Sequence, residues 1–284
     1  MLLDRSLLPE VKKLAKHYGI KPLKRLSQHF VVSKNLILKM LDHAEISRED
    51  VVLEVGAGLG VMTRFIAERA KKVIAVEVDR RFIPVLKEYV KSTYENVEIV
   101  NADILEMEWP PVDKVVSNVP YSISSPLMFK LLDSKFKIAV FTFQKEFAKR
   151  LTAKPDTKDY GRLTVTACVK ATVEYLFEVP RTAFWPEPDV ESAVVKIRLR
   201  DKPPEILDYK LFNQLVLCAF AHRNKKLKNA LLIELRKLEK HGLSRKAIEE
   251  VLERTSFKEK RAYNLTPWDY VKLTNLLSLT ARDF

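Results

Sequence analysis

The chain has 284 residues, 47% of them hydrophobic, enough for one large domain and a smaller companion. A formal net charge of +13, from 50 Lys and Arg against 37 Asp and Glu, favours a polyanionic partner, either nucleic acid or an anionic membrane surface. The two cysteines and five histidines lack metal-ligand spacing, and no apolar run approaches the roughly 20 residues of a membrane span, so neither a zinc site nor a transmembrane helix is expected.

The first residues carry Asp4 and Glu10 and no apolar stretch, so they do not read as a secretory signal, and a reducing cytoplasm is the expected compartment. Leu7, Leu8, Val11, Leu14, Ala15 and Tyr18 recur at helical spacing and predict a short amphipathic helix that Gly19 ends. Ser33 is placed to cap a second helix over 35–43. Strands over 51–55, 73–78, 97–101, 112–117 and 138–143 then alternate with helices over 61–69, 82–92, 126–132 and 146–151. That rhythm predicts an α/β fold with a doubly wound, Rossmann-like parallel sheet. Segments 163–171 and 190–199 read as two more strands, an antiparallel hairpin at the sheet edge. Asp201-Lys-Pro-Pro204 breaks the chain, and beyond it helices are predicted over 209–221, 225–240, 245–253 and 267–277. Ser244 and Thr266 are their candidate caps, and Pro267 suits a first helical position. The division expected is a catalytic domain over 1–203 and a small all-α domain over 204–284.

Glu54-Val-Gly-Ala-Gly-Leu-Gly60 joins the first of these strands to a helix. Gly56, Gly58 and Gly60 let the backbone turn sharply and let a ligand approach its amides. The spacing is not that of the dinucleotide fingerprint, so a ligand without a pyrophosphate fits better. Glu77 ends the second strand, about 20 residues after the first glycine, where a carboxylate can accept both hydroxyls of a ribose. Asp103 follows the third strand and can accept from an adenine amine, with Ile104 packing on the adenine face. Asn118-Val-Pro-Tyr121 follows the fourth. All four features fall on one sheet edge, where folds of this class bind ligands. The tetrapeptide has the Asn/Asp-x-Pro-Tyr/Phe pattern of methyltransferases that act on exocyclic amines. The cofactor expected is S-adenosylmethionine.

With these residues in place, the chain resembles the ribosomal RNA adenine N6-dimethyltransferase family, and more closely its small-subunit branch in archaeal form. The resemblance runs from about Leu23 to Leu277. Lys24-Arg-Leu-Ser-Gln-His-Phe30 resembles the opening motif, usually Gly-Gln-Asn-Phe-Leu; Ser27 stands for glycine, His29 for asparagine and Val31 for leucine. The family closes this segment over its cofactor, which implies contacts from Gln28, His29 and Val31. Phe184-Trp-Pro-Glu-Pro-Asp-Val-Glu-Ser192 matches the Phe-x-Pro-x-Pro-x-Val-x-Ser stretch, and Arg223-Asn-Lys-Lys-Leu-Lys-Asn229 a basic motif of the C-terminal domain. Val119 replaces a leucine.

The N6 amine of adenine is a poor nucleophile, because its lone pair is conjugated with the ring, so positioning is the main catalytic device. The Asn118 oxygen and a backbone carbonyl near Pro120 can accept the two N6 hydrogens and favour the charge growing on nitrogen. Pro120 stiffens the turn, and Tyr121 and Phe184 are expected to stack on the two faces of the target base. Arg223, Lys225, Lys226 and Lys228 can neutralise RNA phosphates without reading sequence. The resemblance implies dimethylation of two adjacent adenosines near the 3′ end of small-subunit rRNA during ribosome biogenesis. The expected partner is a small-subunit precursor, the target base is flipped out, and the enzyme is a monomer without metal. Other readings stay open from sequence: a large-subunit enzyme of the erythromycin-resistance type, an assembly-binding factor with secondary methylation, and DNA adenine methylation. A nicotinamide-dependent dehydrogenase would need a proton-transfer residue that the sequence does not offer.

Overall fold

The computed structural model describes residues 4–282. In chain order its main elements are α1 (Leu8–His17), β1 (Phe30–Val31), α2 (Lys34–Ala44), β2 (Val51–Val55), α3 (Val61–Ala67), β3 (Lys72–Glu77), α4 (Ile83–Val85, continued by π-helical turns over Leu86–Lys91), β4 (Val97–Asn101), β5 (Lys114–Asn118), α5 (Ser124–Leu132), β6 (Ile138–Gln144), α6 (Lys145–Leu151), α7 (Arg162–Lys170), β7 (Ala171–Val179), β8 (Phe184–Trp185), β9 (Ser192–Leu199), α8 (Tyr209–Ala221), α9 (Leu227–Ile233), α10 (Leu235–Glu239), α11 (Arg245–Glu253) and α12 (Pro267–Arg282). No helix among the described residues is long and apolar enough to cross a membrane. Two compact units form. The first takes the chain up to Ala148 together with Val173–Leu199, and the second takes Lys149–Thr172 and the chain from Arg200 onward.

The first unit is built on a seven-stranded sheet in the order β4-β3-β2-β5-β6-β9-β7. The pairs from β4 across to β6 are parallel, and β9 runs antiparallel to β6. Strands such as Val51–Val55 are near-continuous apolar runs because parallel strands are covered on both faces. Leu36, Ile37, Met40 and Leu41 of α2 are fully buried in that core, and the Ser33 hydroxyl caps the helix by accepting from Leu36 N–H at 3.1 Å. The chain leaves β2 towards β3 on one side and returns to β5 on the other, so the strand order switches between β2 and β5. Their register pairing ends at Leu53 opposite Val115, and a crevice lies at their carboxyl ends. A separate two-stranded sheet pairs β1 with β8, Phe30 opposite Trp185 and Val31 opposite Phe184.

The second unit is helical around Leu211, Phe212, Leu215, Leu231, Ile248, Tyr270 and Leu273, and its buried tyrosines are satisfied by carbonyls: Tyr160 donates to Leu265 at 2.7 Å and Tyr270 to Ala262 at 2.8 Å. Ser244 caps α11 and Thr266 caps α12 as expected, accepting from Ala247 and Asp269 N–H at 3.1 Å each. Three sequence expectations fail. Residues 163–171 are not a strand: 162–170 form α7, and the edge strand beside β9 is Ala171–Val179. The β-branched run Thr164-Val-Thr166 suggested extension, but Val165 and Val169 also sit one helical turn apart. Burying both in the second core, with Thr164 Oγ1 accepting from Gly161 N–H at 3.2 Å and donating to the Arg150 carbonyl at 2.6 Å, outweighs local propensity. For the same reason residues 149–172 group with the helical unit, not with the sheet. The helix expected over 225–240 is broken at Glu234, where ψ is +17°.

Gly60 shows how tightly the turn after β2 is built. Its φ is +79°, and a Cβ there would meet Val90 Cγ2 at 2.4 Å and Leu86 Cδ2 at 3.0 Å. Gly60→Ala is therefore expected to lower the unfolding free energy by at least about 2 kcal/mol in urea denaturation, because a left-handed alanine and an overpacked contact add.

Candidate active site

The crevice at the switch point is lined by the glycine turn, the ends of β3 and β5, the segment after β4 and the opening segment before β1. Glu77 is 5% exposed, and its carboxylate accepts from Gly58 N–H and from Asp79 N–H, each at 2.8 Å. Burial raises its pKa, and these two amides work against the rise. Gly56 N–H is held by the Val76 carbonyl at 2.8 Å, and at Gly58 a Cβ would lie 3.1 Å from the Phe30 ring. The turn is thus pinned to β3 on one side and closed by β1 on the other. Gly60 faces the helix behind the turn and does not line the crevice, so its part is to let the turn form. Asp103 is exposed at the crevice edge and accepts from Leu105 N–H at 2.9 Å, with Ile104 buried beside it. Gln28, His29 and Val31 line the opposite wall. Gln28 is fixed at both ends of its amide: Nε2 donates to Asp79 at 2.8 Å, and Oε1 accepts from Leu23 N–H at 2.8 Å. Arg81, helped by Gln28 and working against the upward push of burial, holds the Asp79 carboxyl down at about 2.

Glu54, at the end of β2, escaped attention as a single residue in the sequence. It is 2% exposed, lines the crevice, and its Oε2 has no hydrogen-bond partner. Burial, reinforced by the Glu77 carboxylate, pushes its pKa up to about 8. An orphaned buried acceptor suits a cationic group, and two carboxylates beside a glycine turn whose amides are already engaged suit a nucleoside bearing an amino acid better than a phosphate. The residues present therefore fit S-adenosylmethionine.

The Asn-x-Pro-Tyr corner follows β5. Asn118 Nδ2 donates to the His29 carbonyl at 2.6 Å, while its Oδ1 accepts from the hydroxyl of Thr142, the residue opposite it on β6. These two bonds fix the direction of the amide and leave one lone pair on Oδ1. Thr142 is fully buried and went unnoticed in the sequence, where a threonine inside an apolar strand gives no sign of its partner. The Pro120 carbonyl accepts from Ile123 N–H at 3.0 Å and keeps a second lone pair. Tyr121 shares a hydrogen bond of 2.5 Å with Ser192 Oγ, and its ring lies against the His29 imidazole, centroids 5.6 Å apart and planes 29° apart.

Phe184 corrects the sequence reading. Its ring is 0% exposed and belongs to the main core, so it does not face the crevice. The β1–β8 pairing holds its backbone, and drawing the ring out would cost about 1.5–3 kcal/mol. The basic segment, in the second unit, is more compensated than its composition suggests. Arg223 donates to the Lys158 carbonyl at 3.1 Å and lies 5.3 Å from the Tyr263 ring centroid. Lys226 pairs with Glu259, and Lys228 with Glu249 at 3.3 Å. Lys225 is exposed.

A doubly wound sheet with an adenosyl-type crevice at its switch point and an amide-and-tyrosine corner beside it defines a Rossmann-like methyltransferase. A profile described as ribosomal RNA adenine dimethylase matches residues 20–266. A protein of Methanosarcina mazei named "Probable ribosomal RNA small subunit methyltransferase A" is 42% identical over 275 residues, 96% of this chain and 100% of that one. The crystal structure of a dimethyladenosine transferase from Plasmodium falciparum matches with a TM-score of 0.80 at 30% identity, over 89% of this chain and 98% of that one. The crystal structure of 23S rRNA methyltransferase ErmE matches with a TM-score of 0.66 at 29% identity, over 87% and 99% of the two chains. The chain belongs to the ribosomal RNA adenine dimethylase family, and it is an enzyme of that kind.

The Glu54 carboxyl has a folded pKa of about 8 against 4.5 for an ordinary glutamate, so the folded state binds the extra proton between those values. Its contribution to stability is complete below the lower value and is lost as the pH rises through the upper one. Calorimetry should show the Tm of Glu54→Gln gaining on that of the wild type from about pH 5 to about pH 8.5. A constant difference over that range would contradict the assignment.

Proposed function

We propose that this protein dimethylates the N6 amines of two adjacent adenosines near the 3′ end of small-subunit rRNA, on a precursor subunit, with S-adenosylmethionine as methyl donor. The observation that carries the reading is the Asn118 amide, held by Thr142 and His29 with one free lone pair at the end of β5, next to a crevice suited to the donor. Identity of 42% over nearly the whole chain with a protein named for small-subunit methylation supports that branch over the large-subunit one.

Glu77 would take the ribose hydroxyls, giving up its bonds to the Gly58 and Asp79 amides or sharing them, and Asp103 with Ile104 would take the adenine. Gly56, Gly58, Gln28 and Val31 would close around the ligand, and Glu54 would receive its ammonium group. When bound, S-adenosylmethionine supplies an electrophilic sulfonium methyl. Asn118 Oδ1 and a main-chain carbonyl at the Pro120 turn accept the N6 hydrogens of the target, which aims the nitrogen lone pair and stabilises its growing positive charge. Pro120 keeps the turn rigid, and Tyr121, anchored by Ser192, offers its face to the base. The N6 ammonium formed by transfer is acidic enough to release its proton to water, so no strong base is needed. A monomethylated amine has one N–H left for two acceptors, so the two transfers should run at different rates. Arg223, Lys225, Lys226 and Lys228 would meet phosphates of the RNA.

Purified undermethylated small and large subunits, incubated with labelled S-adenosylmethionine and digested to nucleosides, provide the test. N6,N6-dimethyladenosine from the small subunit alone is the expected result, and product from the large subunit alone would refute the assignment. Asn118→Ala should lower kcat by about 10²–10³-fold with cofactor affinity nearly kept. Thr142→Val, which removes only the hydroxyl that orients the amide, should lower kcat by about tenfold at unchanged cofactor affinity.

A further inference from the structure

Phe184 lies in the core, so the target base has Tyr121 on one face and no second wall from the Pro-rich stretch. The ring that does face Tyr121 belongs to His29. We propose that His29 is that second wall: the adenine enters between the imidazole and the phenol ring. The proposal rests on the reading given above and specifies one residue of the same site.

The imidazole is held by one hydrogen bond, and its main chain and flanking residues by several more contacts. Its Nδ1 lies 2.8 Å from the Pro186 carbonyl, which can only accept, so Nδ1 carries the hydrogen and the ring is anchored edge-on. The carbonyl of the same residue receives the Asn118 amide at 2.6 Å. Gln28 on one flank is tied to Asp79, and Phe30 on the other is paired with Trp185, with ring centroids 6.2 Å apart. Two van der Waals contacts of about 3.5 Å require about 7 Å between the walls. The ring centroids stand 5.6 Å apart with the planes inclined by 29°, so an outward swing of the imidazole about its Pro186 anchor would admit a base. Because one residue supplies both the ring and the carbonyl that orients Asn118, contact with the base face and aim of the amide are mechanically linked.

Three variants separate the wall from other roles: His29→Ala, His29→Leu and His29→Phe. Each is assayed for S-adenosylmethionine affinity by calorimetry, for Tm, and for kcat and KM on undermethylated small subunits. His29→Ala and His29→Leu are expected to lower kcat/KM for the subunit by about 5–100-fold, the range of one lost stacking contact. His29→Phe should stay within about threefold of wild type, and all three should keep cofactor affinity within about threefold. An alanine variant as active as wild type, or more active, overturns the proposal, the latter by showing that the ring obstructs the site. Loss of cofactor affinity in all three variants also overturns it, by placing the ring in the cofactor's service. Independently of turnover, an oligoribonucleotide with 2-aminopurine at the target position should lose fluorescence on binding wild type and His29→Phe, and much less on binding His29→Ala. Wild-type protein that methylates subunits while all variants quench equally refutes the wall alone. Wild-type protein that neither methylates subunits nor quenches the probe refutes the wall together with the function on which it rests.

Discussion

A carboxylate at the end of one strand holds the backbone turn at the end of the next. Glu77 accepts from the amide of Gly58 and from that of Asp79, nearly out of reach of water. Buried carboxylates are tolerated only when such donors surround them. The turn after β2 is thereby fixed in a shape that leaves room in front of it, and Gly60 behind it packs on Val90 and Leu86 without a side chain. The crevice that results needs no closing loop to exist, since the strand order alone opens it.

The acceptor side is assembled differently, by hydrogen bonds between elements far apart in sequence. The amide of Asn118 on β5 is oriented by Thr142 on β6 and by the main chain of His29 before β1. Tyr121 is anchored by Ser192 at the start of β9. Preorganised dipoles of this kind lower a barrier because they need not reorganise as charge develops. The opening segment serves both halves, since Gln28 is joined to Asp79 behind the β3 end and His29 to the Asn118 corner.

Much of this was legible in the residues. Alternating apolar runs announced the parallel sheet, and the spacing of Gly56, Glu77, Asp103 and Asn118 placed each at a strand end. What was hidden depended on contacts across sequence. Thr142 looks like any threonine in a strand until its neighbour on β5 is known. Phe184 sits in a Pro-rich stretch that suggested exposure, but pairing with Val31 turns it into the core. Residues 162–170 satisfy the strand and the helix periods at once, and only the second core decides between them. The charges of 223–228 were countable, but the acids that face them, Glu249 and Glu259, come from later in the chain.

Those acids alter what binding a polyanion means for this surface. A free lysine on a phosphate displaces small ions from the nucleic acid, and their dilution into solution drives association. Lys226 and Lys228 instead arrive with carboxylates of the same chain already in place. A phosphate that takes a carboxylate's position trades one anion for another that cannot diffuse away. The displaced glutamates stay at the interface as fixed negative charge. Should phosphates meet this face as proposed, its grip would be weak in general and would favour an RNA whose backbone leaves space for those acids, so that shape would enter recognition through repulsion as much as through attraction.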